Sequence, residues 1–285
     1  MKDYVLITAA RNEGGYIDQT IKAVRAQTHL PLRWVIISDG STDNTNEIVK
    51  AHADECGFID LVATEPRQGR SFGAKAKAIN SSYRRVAGLS HDVVGILDAD
   101  ITFEPDYYEK LLPEFDHNPE LGISGGFVLD IINGRPIRRT LSIDWSVRGP
   151  VQTFRRNCFE DIGGYRPLKY GGIDAVAEVM ARKAGWKVRT IADLYAKHHR
   201  PTGTENQSFI KAHFKVGRQN YVNGYGHLFM LMRCLIRMPQ TPVITGASAM
   251  MAGYLTSWIS REPFEIPQDL VTFLRKEQKQ RMFKS

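Results

Sequence analysis

The sequence contains the stretch Val93-Val94-Gly95-Ile96-Leu97-Asp98-Ala99-Asp100, in which an aliphatic run of strand length ends in two aspartates. Short aliphatic runs that are bounded by polar residues are typical of buried strands in a parallel sheet. Asp98 and Asp100 therefore lie at the carboxyl end of a predicted strand. In open α/β sheets this is the edge at which ligands bind.

Three earlier runs have the same character, at residues 4–8, 34–38 and 58–63. Amphipathic helical patterns separate the four predicted strands, at residues 16–26, 44–55 and 74–87. Alternation of strand and helix predicts parallel strands that are connected by right-handed crossovers. We therefore expect an α/β fold with a mixed, mainly parallel sheet that is flanked by helices, as in Rossmann-like proteins.

Polar residues follow each of these runs, at residues 9–13, 39–43, 65–70 and 98–100. The Asp98–Asp100 pair can share one hard cation, because Mg²⁺ and Mn²⁺ prefer oxygen ligands and usually bind through a few carboxylates plus substrate phosphates. Two solvated aspartates in a turn are the alternative. The position directly after a buried strand favours the metal site.

The other clusters have two interpretations each. Asn12-Glu13 and the 39–43 segment could cap the helices that follow them, or could form the wall of a nucleoside pocket. The segment 69–75 lacks the GxxxxGK[ST] spacing of a phosphate loop. A helix N-terminus carrying Arg70 and Lys75 could still bind a base or a diphosphate.

The later sequence predicts further strands at residues 121–129, 151–154 and 187–191, a turn at 133–136 and a helix from Asp174 to Ala184. Beyond His199 the pattern is helical, at residues 209–222, 228–236, 243–259 and 270–282. We therefore expect one domain over residues 1–200 and a helical extension over 201–285. The segment 243–259 is short for a membrane span and contains polar and glycine residues, which favours a buried or interfacial helix.

The amino-acid composition indicates which classes of partner the chain could bind. The chain has 38 Lys and Arg against 31 Asp and Glu, a formal net charge of +7, which suits an anionic partner. No helix-turn-helix, zinc-finger or aromatic RNA-binding signature is present, so no nucleic acid partner is expected. The basic region after Leu228 is either a solvated tail or a membrane-surface segment, and its role in oligomerisation is open.

Cys56, Cys158 and Cys234 show no metal or disulfide spacing, and the N-terminal residues turn polar too early for a signal peptide. These features predict a cytoplasmic location, with peripheral contact to the inner face of the cell membrane as the alternative.

Together the motifs resemble the family 2 glycosyltransferases of the GT-A fold, over about residues 4–199. The motifs that carry the resemblance are Asn12-Glu13, Asp39-Gly-Ser-Thr-Asp43, Gly69 with Lys75, Asp98-Ala-Asp100, Gly163-Gly164-Tyr165, and Asp174 with Ala184-Gly185-Trp186-Lys187-Val188. The resemblance implies a bacterial-type, inverting and metal-dependent transfer from a nucleotide-diphosphate sugar, with UDP-sugars favoured as donors. It implies a glycan or lipid-linked acceptor. The chain lacks the Gln-x-x-Arg-Trp motif of processive synthases, which favours the addition of one sugar at a time.

The resemblance also implies roles for single residues. The donor-binding residues would be Ala10, Asn12, Glu13, Asp39, Arg70, Lys75 and Asp98. Asp98 and Asp100 would hold Mn²⁺ or Mg²⁺, with His198 as a further ligand or as a structural histidine. Counting back from Gly185-Trp186 places the catalytic base at Asp174, with a helix cap as the alternative role. Ile173 and Val176 stand where the family usually has acids.

Two other functions stay open at this point. One is nucleotidyl transfer onto a sugar phosphate, although residues 9–15 do not form a glycine-rich phosphate loop. The other is a non-catalytic sugar-nucleotide binder, which the missing acids at Ile173 and Val176 would suit.

Overall fold

The computed structural model describes residues 2–65, 72–138, 145–200, 209–239 and 244–283. The chain divides into two units. The first consists of Met1–Pro167 and Ile173–Pro201, and the second of Leu168–Gly172 and Thr202–Ser285.

The first unit begins with four parallel strands in the order β3-β2-β1-β4. The strands are β1 (Tyr4–Ala10), β2 (Arg33–Ser38), β3 (Ile59–Ala63) and β4 (Val93–Ile96). The helices between them are α1 (Ile17–Arg25), α2 (Thr45–Glu55) and α3 (Phe72–Val86). β1 and β4 are buried almost throughout, because helices cover both faces of a parallel sheet and leave little room for polar side chains.

The sheet continues past β4 with mixed pairing in the order β8-β6-β9-β5, and β7 pairs with β6. The strands are β5 (Ile101–Phe103), β6 (Leu121–Ile132), β7 (Arg135–Arg138), β8 (Thr153–Arg155) and β9 (Lys187–His198). The helices are α4 (Tyr107–His117), α5 (Arg156–Asp161) and α6 (Ile173–Lys183), and a 3₁₀ turn spans Gly149–Val151. β6 and β9 are parallel, whereas β8 is antiparallel to both β4 and β6. The expectation of a mixed sheet that helices flank is confirmed.

Several predicted boundaries were wrong. The predicted turn at 133–136 contains only Asn133 and Gly134, with φ of 50° and 75°, and the next two residues already belong to β7. β9 continues well past residue 191. Every second side chain in its second half is polar and exposed, so no apolar run predicts a strand there, and pairing with both β6 and β5 holds it in the sheet. β5 and α4 were not predicted. α4 contains Pro113, a residue that usually ends or kinks a helix.

The second unit contains α7 (Phe209–Val222), α8 (His227–Arg237), α9 (Thr245–Ile259) and α10 (Gln268–Phe283). Glycines let α7 and α9 pack closely. A Cβ added at Gly217 would lie 1.9 Å from the Met250 carbonyl oxygen, and one added at Gly253 would lie 2.0 Å from the Phe214 carbonyl oxygen. Within the described ranges, none of the helices combines the length and the apolar character that crossing a bilayer requires.

Candidate functional site

The loops that follow β1 and β2 are joined to each other. The two strands are parallel and in register, so both loops emerge at the same edge of the sheet. The Asn12 N–H donates to Ser41 Oγ (3.1 Å), and the Thr42 N–H donates to Asn12 Oδ1 (2.8 Å). The Asp39 N–H donates to the Ala10 carbonyl oxygen at 2.8 Å. Ala10, Asn12 and Asp39, three of the predicted donor-binding residues, therefore lie in one pair of interlocked loops.

These contacts also decide between capping and other roles in the two loops. The side chain of Asn12 bonds to the neighbouring loop, so its interpretation as a cap of α1 was wrong. Asp43 accepts a hydrogen bond from the first N–H group of α2. Its carboxylate accepts the N–H groups of Thr45 (3.1 Å) and Gly14 (2.9 Å). Burial alone would raise the pKa of Asp43, but the hydrogen bond from the Thr45 hydroxyl (2.5 Å) and those from the two N–H groups hold it below its ordinary value.

Asp98 leaves the end of β4 with its backbone N–H bonded to the Pro150 carbonyl oxygen at 3.0 Å. Its carboxylate accepts a hydrogen bond from Lys75 Nζ on α3 at 2.6 Å. Burial opposes the charge on Lys75, but the attraction of Asp98, with smaller contributions from Asp100 and Asp174, raises the pKa of the lysine. A cation and an anion thus lie side by side at the carboxyl edge of the sheet, and both are partly exposed.

Asp100 lies deeper, with only 4% of its surface exposed. Its Oδ2 lies 3.4 Å from His198 Nε2 and 3.3 Å from Arg200 Nε. Arg200 also pairs with Glu13, which connects the loop after β1 to the end of β9. Burial alone would raise the pKa of Asp100, but the hydrogen bond from His198 and the charges of His198, Arg200 and Lys75 hold it below its ordinary value.

His198 lies between two carboxylates. Its Nδ1 is 2.8 Å from Asp130 Oδ1, and Asp130 is fully buried and also pairs with Arg148. Burial opposes protonation, but the two carboxylates raise the pKa of His198 to about 9. This arrangement favours the protonated ring, whereas a metal ligand must be a neutral imidazole. The ligand role of His198 stays a prediction, and its contact orients Asp100.

The carboxylates of Asp98 and Asp100 fit a divalent cation. Asp100 Oδ1 is buried and has no hydrogen-bond partner among the described residues. A buried carboxylate oxygen without a partner is costly unless something else binds it. The described part of the chain contains no group of three or more His, Cys, Asp or Glu residues that could hold a metal ion. Two carboxylates are enough for Mg²⁺ or Mn²⁺ when water and substrate phosphates complete the coordination.

Asp174 is the second residue of α6, and its carboxylate lies against Gly149. A Cβ added at Gly149 would come within 2.7 Å of Asp174 Oδ2. None of the described residues donates a hydrogen bond to the Asp174 carboxylate, so the cap interpretation has no support in this part of the chain. Ile173 and Val176, where the family usually has acids, are buried apolar residues.

Glu178 is a buried acid that the sequence analysis missed, one turn after Asp174 on α6. Its Oε1 accepts the Val147 N–H (2.7 Å), the Ser146 hydroxyl (3.2 Å) and the Gln152 amide (3.3 Å). Burial, with a smaller contribution from Asp174, raises the pKa of Glu178 to about 7. The segment that Glu178 holds is the same one that brings Gly149 to the Asp174 carboxylate. The sequence did contain a signal for this buried acid, because Glu178 lies on the apolar side of the predicted helix 174–184.

The remaining predicted residues have different outcomes. Arg70 lies outside the described residues. Arg155 and Arg156, near the end of β8, donate to backbone carbonyl oxygens within the fold. Arg200 and Asp130 were not predicted, because their partners lie far away in sequence.

Comparison with known proteins agrees with this architecture. Residues 5–173 match the family model of glycosyl transferase family 2. The chain is 29% identical over 153 residues to the poly-beta-1,6-N-acetyl-D-glucosamine synthase of Staphylococcus aureus, a match over 54% of this chain and 32% of that protein. It is 28% identical over 166 residues to the glucosyl-dolichyl phosphate glucuronosyltransferase of Haloferax volcanii, over 52% of this chain and 50% of that one. The matched region thus spans about a third to a half of these relatives.

Solved structures show the same fold at low identity. The mannosyltransferase PcManGT of Pyrobaculum calidifontis, in complex with GDP-Man and Mn²⁺, has a TM-score of 0.57 at 16% identity and covers 100% of this chain and 83% of its own. S. aureus TarS 1–349, in complex with UDP-GlcNAc, has a TM-score of 0.55 at 14% identity, over 90% of this chain and 73% of its own. These neighbours confirm the predicted GT-A fold. Because the family model matches more than half of its residues, the chain belongs to glycosyl transferase family 2.

Proposed function

We propose that the chain is an inverting glycosyltransferase that moves a sugar from a nucleotide-diphosphate donor to a hydroxyl acceptor. The observation that carries this proposal is the carboxylate pair after β4. Asp98 is bonded to Lys75, and Asp100 is buried with an oxygen that no described residue bonds. Two such carboxylates beside a lysine suit a cation and the diphosphate that it accompanies. Membership of the family supports the same activity.

We assign Mn²⁺ or Mg²⁺ to Asp98 and Asp100. His198 is the candidate third ligand, and the cation would have to displace the proton that Asp100 and Asp130 favour on its ring. A divalent cation there would neutralise charge on the leaving diphosphate. Lys75 would bind the phosphate oxygens from the same side, because its ammonium group already lies next to Asp98. The complex of the Pyrobaculum calidifontis mannosyltransferase with Mn²⁺ supports a metal of this kind.

The nucleoside would bind in the interlocked loops after β1 and β2, against Ala10, Asn12, Glu13 and Asp39. Arg70, just before α3, stays a predicted donor contact. We favour a UDP-sugar, since TarS has been solved with UDP-GlcNAc, and a GDP-sugar is the alternative that the mannosyltransferase suggests.

Asp174 is the proposed base. Its carboxylate has no hydrogen-bond donor among the described residues, so it can accept the proton of the acceptor hydroxyl. The acceptor oxygen then bonds to the anomeric carbon as the bond from that carbon to the diphosphate oxygen breaks. One displacement from the face opposite the leaving group inverts the anomeric configuration.

We propose an acceptor in cell-surface or lipid-linked glycan synthesis, at the cytoplasmic face of the membrane and in peripheral contact with it. The names of two relatives support this: one makes poly-N-acetylglucosamine and the other is named for a dolichyl phosphate-linked sugar.

Three variants test the assignment. Asp100→Asn removes a metal-binding charge and should lower Mn²⁺-dependent transfer at least a hundredfold. Asp174→Asn should lower transfer by about 10²- to 10⁴-fold, the usual effect of losing a general base, while the donor still raises the melting temperature. Asp60→Asn, on the exposed side of β3, is the matched control and should transfer normally. Full activity of both site variants would refute the proposal.

The reaction products separate the alternatives. Release of free nucleotide diphosphate supports glycosyl transfer, whereas pyrophosphate would show nucleotidyl transfer. If the chain binds the donor with Mn²⁺ but neither transfers the sugar to any acceptor nor hydrolyses the donor, it is a non-catalytic sugar-nucleotide binder.

A further inference from the structure

α8 exposes an apolar face to solvent. Leu228, Leu231, Leu235 and Ile236 recur at helical spacing and are 53%, 47%, 52% and 58% exposed. The opposite side of the helix supplies Met230 and Cys234 to the core of the second unit. The usual amphipathic arrangement places polar residues on the exposed side. An exposed stripe of large apolar residues indicates a surface that binds something.

This face extends beyond both ends of the helix. At the N-terminal end, the ring of Trp258 lies 5.1 Å from that of His227, and about half of the tryptophan is exposed. At the C-terminal end, the Ile244 N–H donates to the Met238 carbonyl oxygen at 2.8 Å, and both side chains are exposed. The apolar stripe therefore runs along all of α8, which at 1.5 Å per residue is about 16 Å long.

The charge of the surrounding sequence has one sign. No acidic residue occurs between Glu205 and Glu262, although 31 acids in 285 residues would place about six in a segment of that length. On α8 itself, Arg233 and Arg237 are half-buried and flank the exposed stripe one turn apart. The same segment contains four further cations, Lys211, Lys215, Arg218 and Arg261, of which Arg218 is paired with Glu262.

We propose that the exposed face of α8, with Trp258 and Ile244 at its ends, docks on an anionic lipid surface. The apolar side chains would enter the boundary between headgroups and acyl chains, while Arg233 and Arg237 reach lipid phosphates. Tryptophan is enriched at this boundary, where one side of the ring is apolar and the other is hydrated. A second copy of the chain fits this surface less well, because its α8 would bring the same positive charges to the interface. The inference deepens the proposed peripheral membrane contact by naming its surface.

Flotation of the full chain with vesicles tests this surface. The parent should float with equal parts of phosphatidylcholine and phosphatidylglycerol, and much less with phosphatidylcholine alone. Leu231→Gln/Leu235→Gln should weaken binding at least tenfold, because burial of two leucine side chains is lost. Glutamine keeps a high helix propensity, so α8 should stay folded. Leu30→Gln/Leu32→Gln, which changes two similarly exposed leucines of the first unit, is the matched control and should bind like the parent.

A spectroscopic readout locates the contact. Anionic vesicles should shift the tryptophan emission of the parent to the blue, and Trp258→Phe should remove most of that shift. The docking proposal would be overturned if the parent did not bind the vesicles, or if Leu231→Gln/Leu235→Gln bound them equally well. It would also be overturned if the parent were a dimer and this variant were a monomer. Donor hydrolysis without lipid should be equal in all these variants. Loss of hydrolysis therefore reports on the proposed transferase, and loss of flotation reports on the docking face.

Discussion

Replacement of Glu178 by glutamine tests whether a buried carboxyl group supports the helix that carries Asp174. Burial raises the pKa of Glu178 from its ordinary 4.5 to about 7. Glutamine has nearly the same shape, and its carbonyl oxygen can accept the same bonds from Val147, Ser146 and Gln152. The substitution therefore removes the titration and the ion pair of Glu178 Oε2 with Arg182 (3.4 Å), and it keeps most of the packing.

The direction of the pKa shift determines whether the free energy of unfolding rises or falls with pH. Between about pH 4.5 and pH 7 the folded chain retains the proton on Glu178 and the unfolded chain has lost it. The free energy of unfolding therefore falls as the pH rises through this window. At 1.36 kcal/mol per pKa unit, a shift of this size corresponds to about 3 kcal/mol. The parent should lose about that much stability relative to Glu178→Gln between pH 5 and pH 8.

Urea-induced unfolding, followed by far-UV circular dichroism at both pH values, measures this difference. Glu120→Gln is the matched control, because Glu120 is exposed and the Lys187 hydrogen bond and charge lower its pKa. Stability that depends on a lowered carboxyl pKa is lost only below the ordinary value, so this control should follow the parent from pH 5 to pH 8. A stability difference between Glu178→Gln and the parent that is equal at pH 5 and pH 8 would show that the buried carboxyl group does not titrate in this window.

Gly149→Ala should lower transfer at least tenfold with little change in donor affinity, because the new Cβ displaces the Asp174 carboxylate; an unchanged rate would contradict the contact. Gly253→Ala should lower the free energy of unfolding by about 2 kcal/mol, since its Cβ would overlap the Phe214 carbonyl oxygen. In Gly88→Ala the Cβ has no neighbour within 4 Å, so thermal unfolding of this control should match the parent. Removal of divalent cations with EDTA should abolish transfer and Mn²⁺ should restore it; a rate that EDTA leaves intact would exclude a role for the metal.

Local pattern was enough to predict much of the first unit. Each of the first four strands is a short run of aliphatic residues between polar segments, and the structure places all four within two residues of the predicted bounds. The polar clusters after β1, β2 and β4 were predicted for the same reason, since strand ends in a parallel sheet are polar where a ligand can bind. The later strands were harder, because β9 and β5 are stabilised by pairing with distant strands and show no apolar run of their own.

The sequence by itself determined the order of the first four strands and the helices between them, the Asp98–Asp100 pair and the position of Asp174, because all of these depend on spacing along the chain. Only the tertiary structure decided which charges meet. The contact of Asp100 with His198 and Arg200 comes from the antiparallel pairing of β5 with β9. The environment of Glu178 likewise depends on a segment about 30 residues earlier in the chain. Burial and long-range pairing set these interactions, and neither is written in the local order of residues.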